Sequence, residues 1–393
     1  MAAPRETAED VRSGLCAWMN TTVFKPVSLN PLTGGQSNFT YHAHLEQRVM
    51  AQDDSGRDIS EVVVKHGEPY MARHPSNAIT IDRCFVEAAC LKHLHALKPL
   101  HHTSQSARYR VSTPECYLYD DKTKTQIQEY LPGTLDLKSI VLKSCEEPLG
   151  VVQEQHYRHI GRALAEYISQ FHQNTSPVAR GHAEEGTSPH LSTLHEAISR
   201  SSEMQDLKLM VNYDWLLERI EQFPDILKDA KDVFVRLREQ GIDELKNGSA
   251  ASTVIHGDFC PQNILIRDES PRDGKKTGLF VVDWENAQIG VPAMDHGEMI
   301  GELYSTWLYD GSDAGIHVIE GYTAGLGSLP VDVALRIAAQ VGVHLLSFGT
   351  LAQDKSELQT DRVVREGRDI IVNSCKKDQA WFKDHVLGCL FTR

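Results

Sequence analysis

Between Leu32 and Leu45 the chain reads LTGGQSNFTYHAHL. Phe39, Tyr41, Ala43 and Leu45 alternate with Thr40, His42 and His44, the period of a half-buried β-strand. The Gly34-Gly35 pair ahead of it marks a turn. Val62-Val63-Val64 predicts a second strand ending at Lys65. Ile81, Phe85, Ala88 and Leu91, spaced by four, three and three, predict a helix that carries Glu87. Within 109–131, Tyr117-Leu118-Tyr119 and Ile127 predict two strands joined by the polar turn Asp120 to Lys124, and Pro132-Gly133 marks a break. Beyond it the pattern turns helical. Ile160, Leu164, Ile168 and Phe171 form a stripe ending at His172, and 204–245 reads as two amphipathic helices broken near Pro224. Two short strands, Val254-Ile255 and Leu279 to Val282, flank the polar segment 268–277, and helices around 334–351 and 362–375 follow. Strands first, then helices around two short strands, predict a mixed α/β (α+β) fold. An antiparallel-sheet small lobe (1–131) sits on a mainly helical large lobe (132–393).

Composition narrows this picture. With 393 residues, 41% hydrophobic and 24% charged, the chain can bury a large core, so disorder describes little of it. The net charge of −14 argues against nucleic acid as a partner, since duplex binding depends on Lys and Arg neutralising phosphates. No apolar run approaches the roughly 18 residues that cross a bilayer, which predicts no membrane association. Glu6, Glu9 and Asp10 occupy the region where a secretory signal is apolar, so a short helix is expected there. Eight scattered cysteines without a Cys-x-x-Cys pair fit a reduced, cytoplasmic chain.

The most informative stretch is VIHGDFCPQNILI, residues 254–266. It holds His256-Gly257-Asp258 and then Asn263, and twenty residues beyond Asn263 a strand ends in Asp283-Trp284-Glu285. Phosphoryl transfer needs a base beside the incoming hydroxyl and oxygen ligands for magnesium. Asp258 suits the base, while the amide oxygen of Asn263 and the carboxylate of Asp283 are hard donors suited to Mg2+. A lone Asp-x4-Asn is ordinarily chance or a capped turn. Bracketing by apolar strands, and a strand delivering Asp283 beside the loop, make this constellation far more specific. Lys65 at a strand end and Glu87 on the next helix form a second candidate pair, a lysine for phosphates held by a carboxylate. The plainer alternative is a surface lysine beside an unrelated helix glutamate.

The segments HGDF-x3-N, VVDWE and Gly290-x4-Asp295 resemble the aminoglycoside phosphotransferase and choline kinase superfamily, relatives of protein kinases. LTGGQSNFTYHAHL, VVVKHGEPY and Arg83-x3-Glu87 are similar to the small lobe of 5-methylthioribose kinase-like members. The resemblance runs from about Leu32 to Tyr304 and implies a bilobal, protein-kinase-like fold that binds ATP and Mg2+. It implies transfer of the γ-phosphate to a hydroxyl of a small metabolite. It places Gly34 and Gly35 in a nucleotide-covering turn, and Gln128, Glu129 and Tyr130 in the hinge, through Gly133, that receives adenine. It gives Lys65, held by Glu87, to the phosphates, and His256 to the support of the catalytic loop. Asp295 is implied to steady that loop, the alternative being a helix N-cap. The Arg of His-Arg-Asp, Asp-Phe-Gly and Ala-Pro-Glu are missing, so a polypeptide acceptor is not expected. Sugars, aminoglycosides, choline-like compounds, methylthioribose and hydroxylated aromatic amines are all acceptors among similar folds. The rival reading is a nucleotide-binding pseudokinase or regulatory scaffold without turnover, against which stands the presence of every expected polar group.

Weaker signals remain. Glu298 and Glu302, four apart on one helix face, are candidate acceptor contacts that suit a cationic amine, although a solvated face explains the pair equally, and Glu285 is a further candidate acceptor contact. His42 with His44, His93 with His95, and His101-His102 read as ordinary polar surface rather than a metal site. Trp284 and Trp307 read as packing residues, and Glu218, Arg219 and Glu221 as a solvated helix face.

Overall fold

The computed structural model describes residues 7–51, 56–97, 109–146, 148–179, 189–248, 251–267 and 277–391. The polar segment 268–276 and the His101-His102 pair lie outside them. Helix α1 (Ala8–Met19) opens the chain with a capping box in which Thr7 and Asp10 satisfy each other's backbone. Strands β1 (Pro26–Pro31), β2 (Phe39–Met50) and β3 (Asp58–His66) follow, then the small hairpin β4 (Tyr70–Met71) and β5 (His74–Ala78), and helix α2 (Arg83–Ala96). Strands β6 (Tyr109–Ser112), β7 (Cys116–Asp120), β8 (Thr125–Glu129) and β9 (Thr134–Asp136) lead into α3 (Leu137–Lys143).

A five-stranded antiparallel sheet, ordered β1-β2-β3-β8-β7, forms the small lobe. Its alternation buries Tyr41, Ala43, Val62, Val64 and Ile127 against Val11, Leu15 and Met19 of α1, a core separate from the larger one. Strand β6 departs from the sequence expectation. It leaves this sheet and pairs in parallel with Thr277–Phe280 of the other lobe. Four residues cannot reveal their partner by periodicity, and Tyr109 and Val111 bury into the larger core. Helix α2 also commits its apolar face, Val86, Cys90 and Leu91, to that core.

The rest is mainly helical. Helix α4 (Val151–Ala179) runs past His172 instead of ending there, because His172 finds a buried partner. Helices α5 (Pro189–Arg200), α6 (Glu203–Leu209), α7 (Trp215–Gln222), α8 (Pro224–Leu227) and α9 (Lys231–Ile242) follow, with the anticipated break at Phe223-Pro224. Three short strands go with the predicted β10 (Thr253–Ile255) and β12 (Thr277–Val281): β9, β11 (Ile264–Arg267) and β13 (Gln288–Gly290). Strand β11 pairs with β12 and β9, and β10 with β13, so the segment 256–263 sits between two small sheets. Helices α10 (Pro292–Asp310), α11 (Asp313–Leu326), α12 (Val331–Ser347), α13 (Glu357–Cys375) and α14 (Gln379–Phe382) complete the lobe. This is the mixed fold with a small antiparallel sheet read from the sequence.

Two expectations need correction. The stretch Val331–Leu351 is long and apolar enough to span a bilayer, yet most of its apolar part is buried inside the protein. Its polar positions Arg336, Gln340 and His344, spaced by four, meet Glu244, Asn212 and Glu302 instead of water. Arg219 is likewise no solvated charge: it is buried and donates to the carbonyls of Leu346 and Ser347, closing the end of α12.

Candidate active site

Four local features bring the chemistry-bearing residues together. Strand β10 ends at Ile255, and the chain turns at Gly257 with φ +81°, where a Cβ would meet the Asn286 carbonyl oxygen at 2.2 Å. Only glycine fits that approach. A single 3-10 turn over Pro261–Asn263 then returns the chain into β11. Within it the Asn263 amide donates to the Asp258 carbonyl at 2.9 Å and to its carboxylate at 3.0 Å. Because the NH2 group is spent on Asp258, the Asn263 amide oxygen is left for another partner. The loop is tied to β12 by Val282 N–H donating to the Asn263 carbonyl at 3.0 Å.

Asp283 follows β12 with φ 68° and ψ 53°, left-handed backbone that costs a non-glycine residue free energy. That conformation turns its carboxylate to Lys65 Nζ, 2.6 Å away, while Lys65 also donates to Glu87 at 2.7 Å. Lys65 and Glu87 are buried, and Gln126 donates to the second oxygen of Glu87. The pair anticipated from sequence is therefore an ion pair rather than a surface lysine with a distant glutamate. Burial alone would lower the Lys65 ammonium, but Asp283 and then Glu87 outweigh it and hold it above its ordinary value. Burial would raise Asp283, and Lys65 overcomes this to keep the carboxyl below its usual range. Asp258 is pushed up to about 8, by burial first and then by Glu298 and Asp283, with Lys208 and Asn263 pulling the other way.

Asp295 lies inside the first turns of α10, not at its N-cap. It accepts from the backbone N–H of His256 (2.8 Å) and Gly257 (3.0 Å), and from His172 Nε2 (2.8 Å). His256 in turn bonds the Val282 carbonyl at 3.0 Å and packs on Trp284, which is fully buried. In the small lobe, Gly34 (φ 144°) and Gly35 (φ 62°) make an open turn. Gln128 is buried with its Nε2 unpartnered, Glu129 pairs with Arg57, and Tyr130 stacks on His42.

The three acidic acceptor candidates are not free acids. Glu285 is buried and accepts from Asn38 (2.6 Å) and Arg83 (3.2 Å). Glu298 pairs with Lys208 at 2.8 Å. Glu302 pairs with Lys138 (2.5 Å) and His344 (2.7 Å), and accepts from Gln262 (2.8 Å). The chain's own cations neutralise each of them, which removes the unpaired negative charge that would hold an amine. His93 is also no surface group, being buried.

Sequence reading missed Lys208, which is buried against the 256–263 loop and donates to the Gly257 carbonyl at 2.8 Å as well as to Glu298. Between Leu207 and Leu209 it looks like any solvated helix lysine. It also missed what Arg83 does. Arg83 is fully buried and donates to the carbonyls of Ser37, Glu68 and Thr80, to Asn38 and to Glu285. That hub ties the glycine-turn loop and α2 to the Asp-Trp-Glu segment. The only signal was its place four residues before Glu87.

Residues 28–336 match the phosphotransferase enzyme family, APH. Phosphotransferase FrzJ of Cladobotryum sp is 25% identical over 385 residues, covering 95% of this chain and 94% of that protein. The 4-hydroxytryptamine kinase of Psilocybe cyanescens is 21% identical over 375 residues, 92% of this chain and 91% of its own. The solved GDP complex of wild-type aminoglycoside 2'-phosphotransferase-IIIa aligns at 14% identity and TM-score 0.46, over 94% of this chain and 99% of that one. The family match extends from β1 into α12, through both cores and every segment that carries the resemblance read from sequence, and so this chain belongs to the phosphotransferase enzyme family.

Proposed function

We propose that the protein is a small-molecule kinase that moves the γ-phosphate of ATP to a hydroxyl of its acceptor. The observation that carries this reading is the unbroken run of contacts Lys65–Asp283, Val282–Asn263 and Asn263–Asp258, which links a phosphate-type lysine to a loop carboxylate. In this reading residues 1–131 bind the nucleotide, and residues 132–393 supply the catalytic loop and the acceptor site.

Asp258 orients the acceptor hydroxyl and takes its proton, held by the Asn263 amide. Lys65, aligned by Glu87, contacts the phosphates. The hinge backbone at 129–131 receives the adenine, and the buried, unpartnered Gln128 amide stands beside it as a donor. Glycines 34 and 35 allow their backbone to approach the phosphates closely. The donor set fits a hard cation: Asn263 keeps its amide oxygen free, and Lys65 takes one oxygen of Asp283 and leaves the other. Magnesium held by Asn263 and Asp283 would supply positive charge to offset that of the phosphates.

Relatives at low identity include two 4-hydroxytryptamine kinases, so hydroxylated aromatic amines are the first acceptors to try. The test incubates the full chain, ATP and Mg2+ with 4-hydroxytryptamine, amino alcohols, aminoglycosides and extracted metabolite pools, and follows the mass gain of one phosphoryl group. The reading expects one acceptor class to gain it, with the gain lost in Asp258→Asn. Nucleotide binding with no phosphorylated product from any pool would instead favour a scaffold.

A further inference from the structure

The pair His42 and His44 reads in sequence as polar surface, but the fold adds a third group. Strands β2 and β3 pair with His44 opposite Glu61 and His42 opposite Val63. Residues two apart on a strand share a face, so both imidazoles and the Glu61 carboxylate project on one side of the sheet. His42 Nε2 lies 3.0 Å from Glu61 Oε1, and His44 Nδ1 lies 3.3 Å from the same oxygen. The three donor atoms all lie within 4.8 Å of one another.

That spacing has a chemical meaning. Ligands on a tetrahedral zinc-type ion at 2.0–2.1 Å stand about 3.3 Å apart. The His42 ring is held in plane by Tyr130, with centroids 3.9 Å apart and planes inclined by 16°, as an oriented metal ligand requires. Among the described residues, no lysine or arginine pairs with Glu61. The side chains are 15%, 51% and 34% exposed for His42, His44 and Glu61, so an ion has access and water can complete its shell.

We propose that His42, His44 and Glu61 form a site for one divalent transition-metal ion of the zinc class. The site lies on the small-lobe sheet and is distinct from the Asn263–Asp283 oxygen set. Two imidazoles and one carboxylate favour zinc-type ions over magnesium, which prefers an all-oxygen shell.

The experiment is equilibrium dialysis of the full chain against Zn2+ in a competing chelator buffer, at a fixed excess of Mg2+. One equivalent is expected to bind, with affinity falling at least about tenfold in His42→Ala, His44→Ala and Glu61→Gln. His74→Ala, which removes an exposed histidine on β5, should leave binding unchanged. Co2+ in place of Zn2+ should give a visible d–d band without thiolate charge-transfer absorption, which separates this site from binding at any of the eight cysteine thiols. His44 is half exposed, so its variant should keep the wild-type thermal midpoint. No saturable equivalent, an affinity unmoved in the three variants, or a thiolate spectrum would each overturn the proposal.

Discussion

At Asp258 and Lys208 single side chains set what the loop can do. Asp258→Asn should cut turnover by at least about a hundredfold with little change in thermal midpoint, since the Asn263 contact survives in altered form. Steady-state kinetics with the acceptor found above checks this, and near-normal turnover would take the aspartate out of its role. Lys208 shows how a buried charge differs from an exposed one. Burial would lower its ammonium, but Glu298 outweighs this and keeps it charged. Lys208→Met leaves Glu298 buried without its cation and removes a donor from the Gly257 carbonyl, an expected loss of about 3–5 kcal/mol. Denaturant titration should show the double variant Lys208→Met, Glu298→Leu recovering much of that loss. If the double variant is as unstable as the single one, the ion pair is not what the lysine maintains.

Helix α10 gathers two buried titratable groups whose pH behaviour has the same sign. Burial would raise Asp295, yet the hydrogen bond from His172 and that residue's charge bring it down to about 2. Burial, then His172, pushes His296 down to about 3 from an ordinary 6.5. Both folded values are depressed, so the unfolded chain binds more protons through each window and stability rises with pH there. For His296 the stability present above 6.5 is lost as pH falls toward 3. For Asp295 the loss comes lower, as pH falls from about 3.8 toward 2. Unfolding free energy should therefore drop between pH 6.5 and 4 by on the order of 1 kcal/mol per pH unit from His296 alone. In His296→Phe that part of the slope should flatten, although Tyr322 loses a hydrogen-bond partner and the variant starts from a lower stability. An unchanged slope in this variant would show that the imidazole is not the group responsible.

Across the two lobes, Arg83 is the joint. It gathers Ser37 and Asn38 from the glycine-turn loop, Glu68 and Thr80 ahead of α2, and Glu285 after β12. Arg83→Leu takes the donor from three half-buried carbonyls and leaves buried Glu285 without its cation, so a loss of about 3–5 kcal/mol is expected, together with weaker ATP binding. Calorimetric titration of ATP against the folded variant, beside its denaturant midpoint, measures both; a midpoint within error of wild type would refute the hub. These contacts also explain which features could be read in advance. The HGDF loop, Asn263 and Asp283 were legible because a turn and one strand carry them, and β2, β3, α2 and the long helices follow from apolar spacing. Those are local properties, set by backbone period and by which neighbours in sequence are apolar. Partner choice is not local. Lys208 meets Glu298 across 90 positions and Arg83 meets Glu285 across 202, while β6 takes β12 as its partner, with Tyr109 opposite Thr277. A charge on an amphipathic helix looks solvated until packing excludes water from it. The same rule turned Glu285, Glu298 and Glu302 from candidate acceptor contacts into internal ion pairs, and packing of β2 on β3 brought Glu61 beside His42 and His44. Periodicity and short motifs thus specified the elements and the family chemistry. Tertiary packing alone decided which charges neutralise one another, because burial makes an unpaired charge too costly to keep.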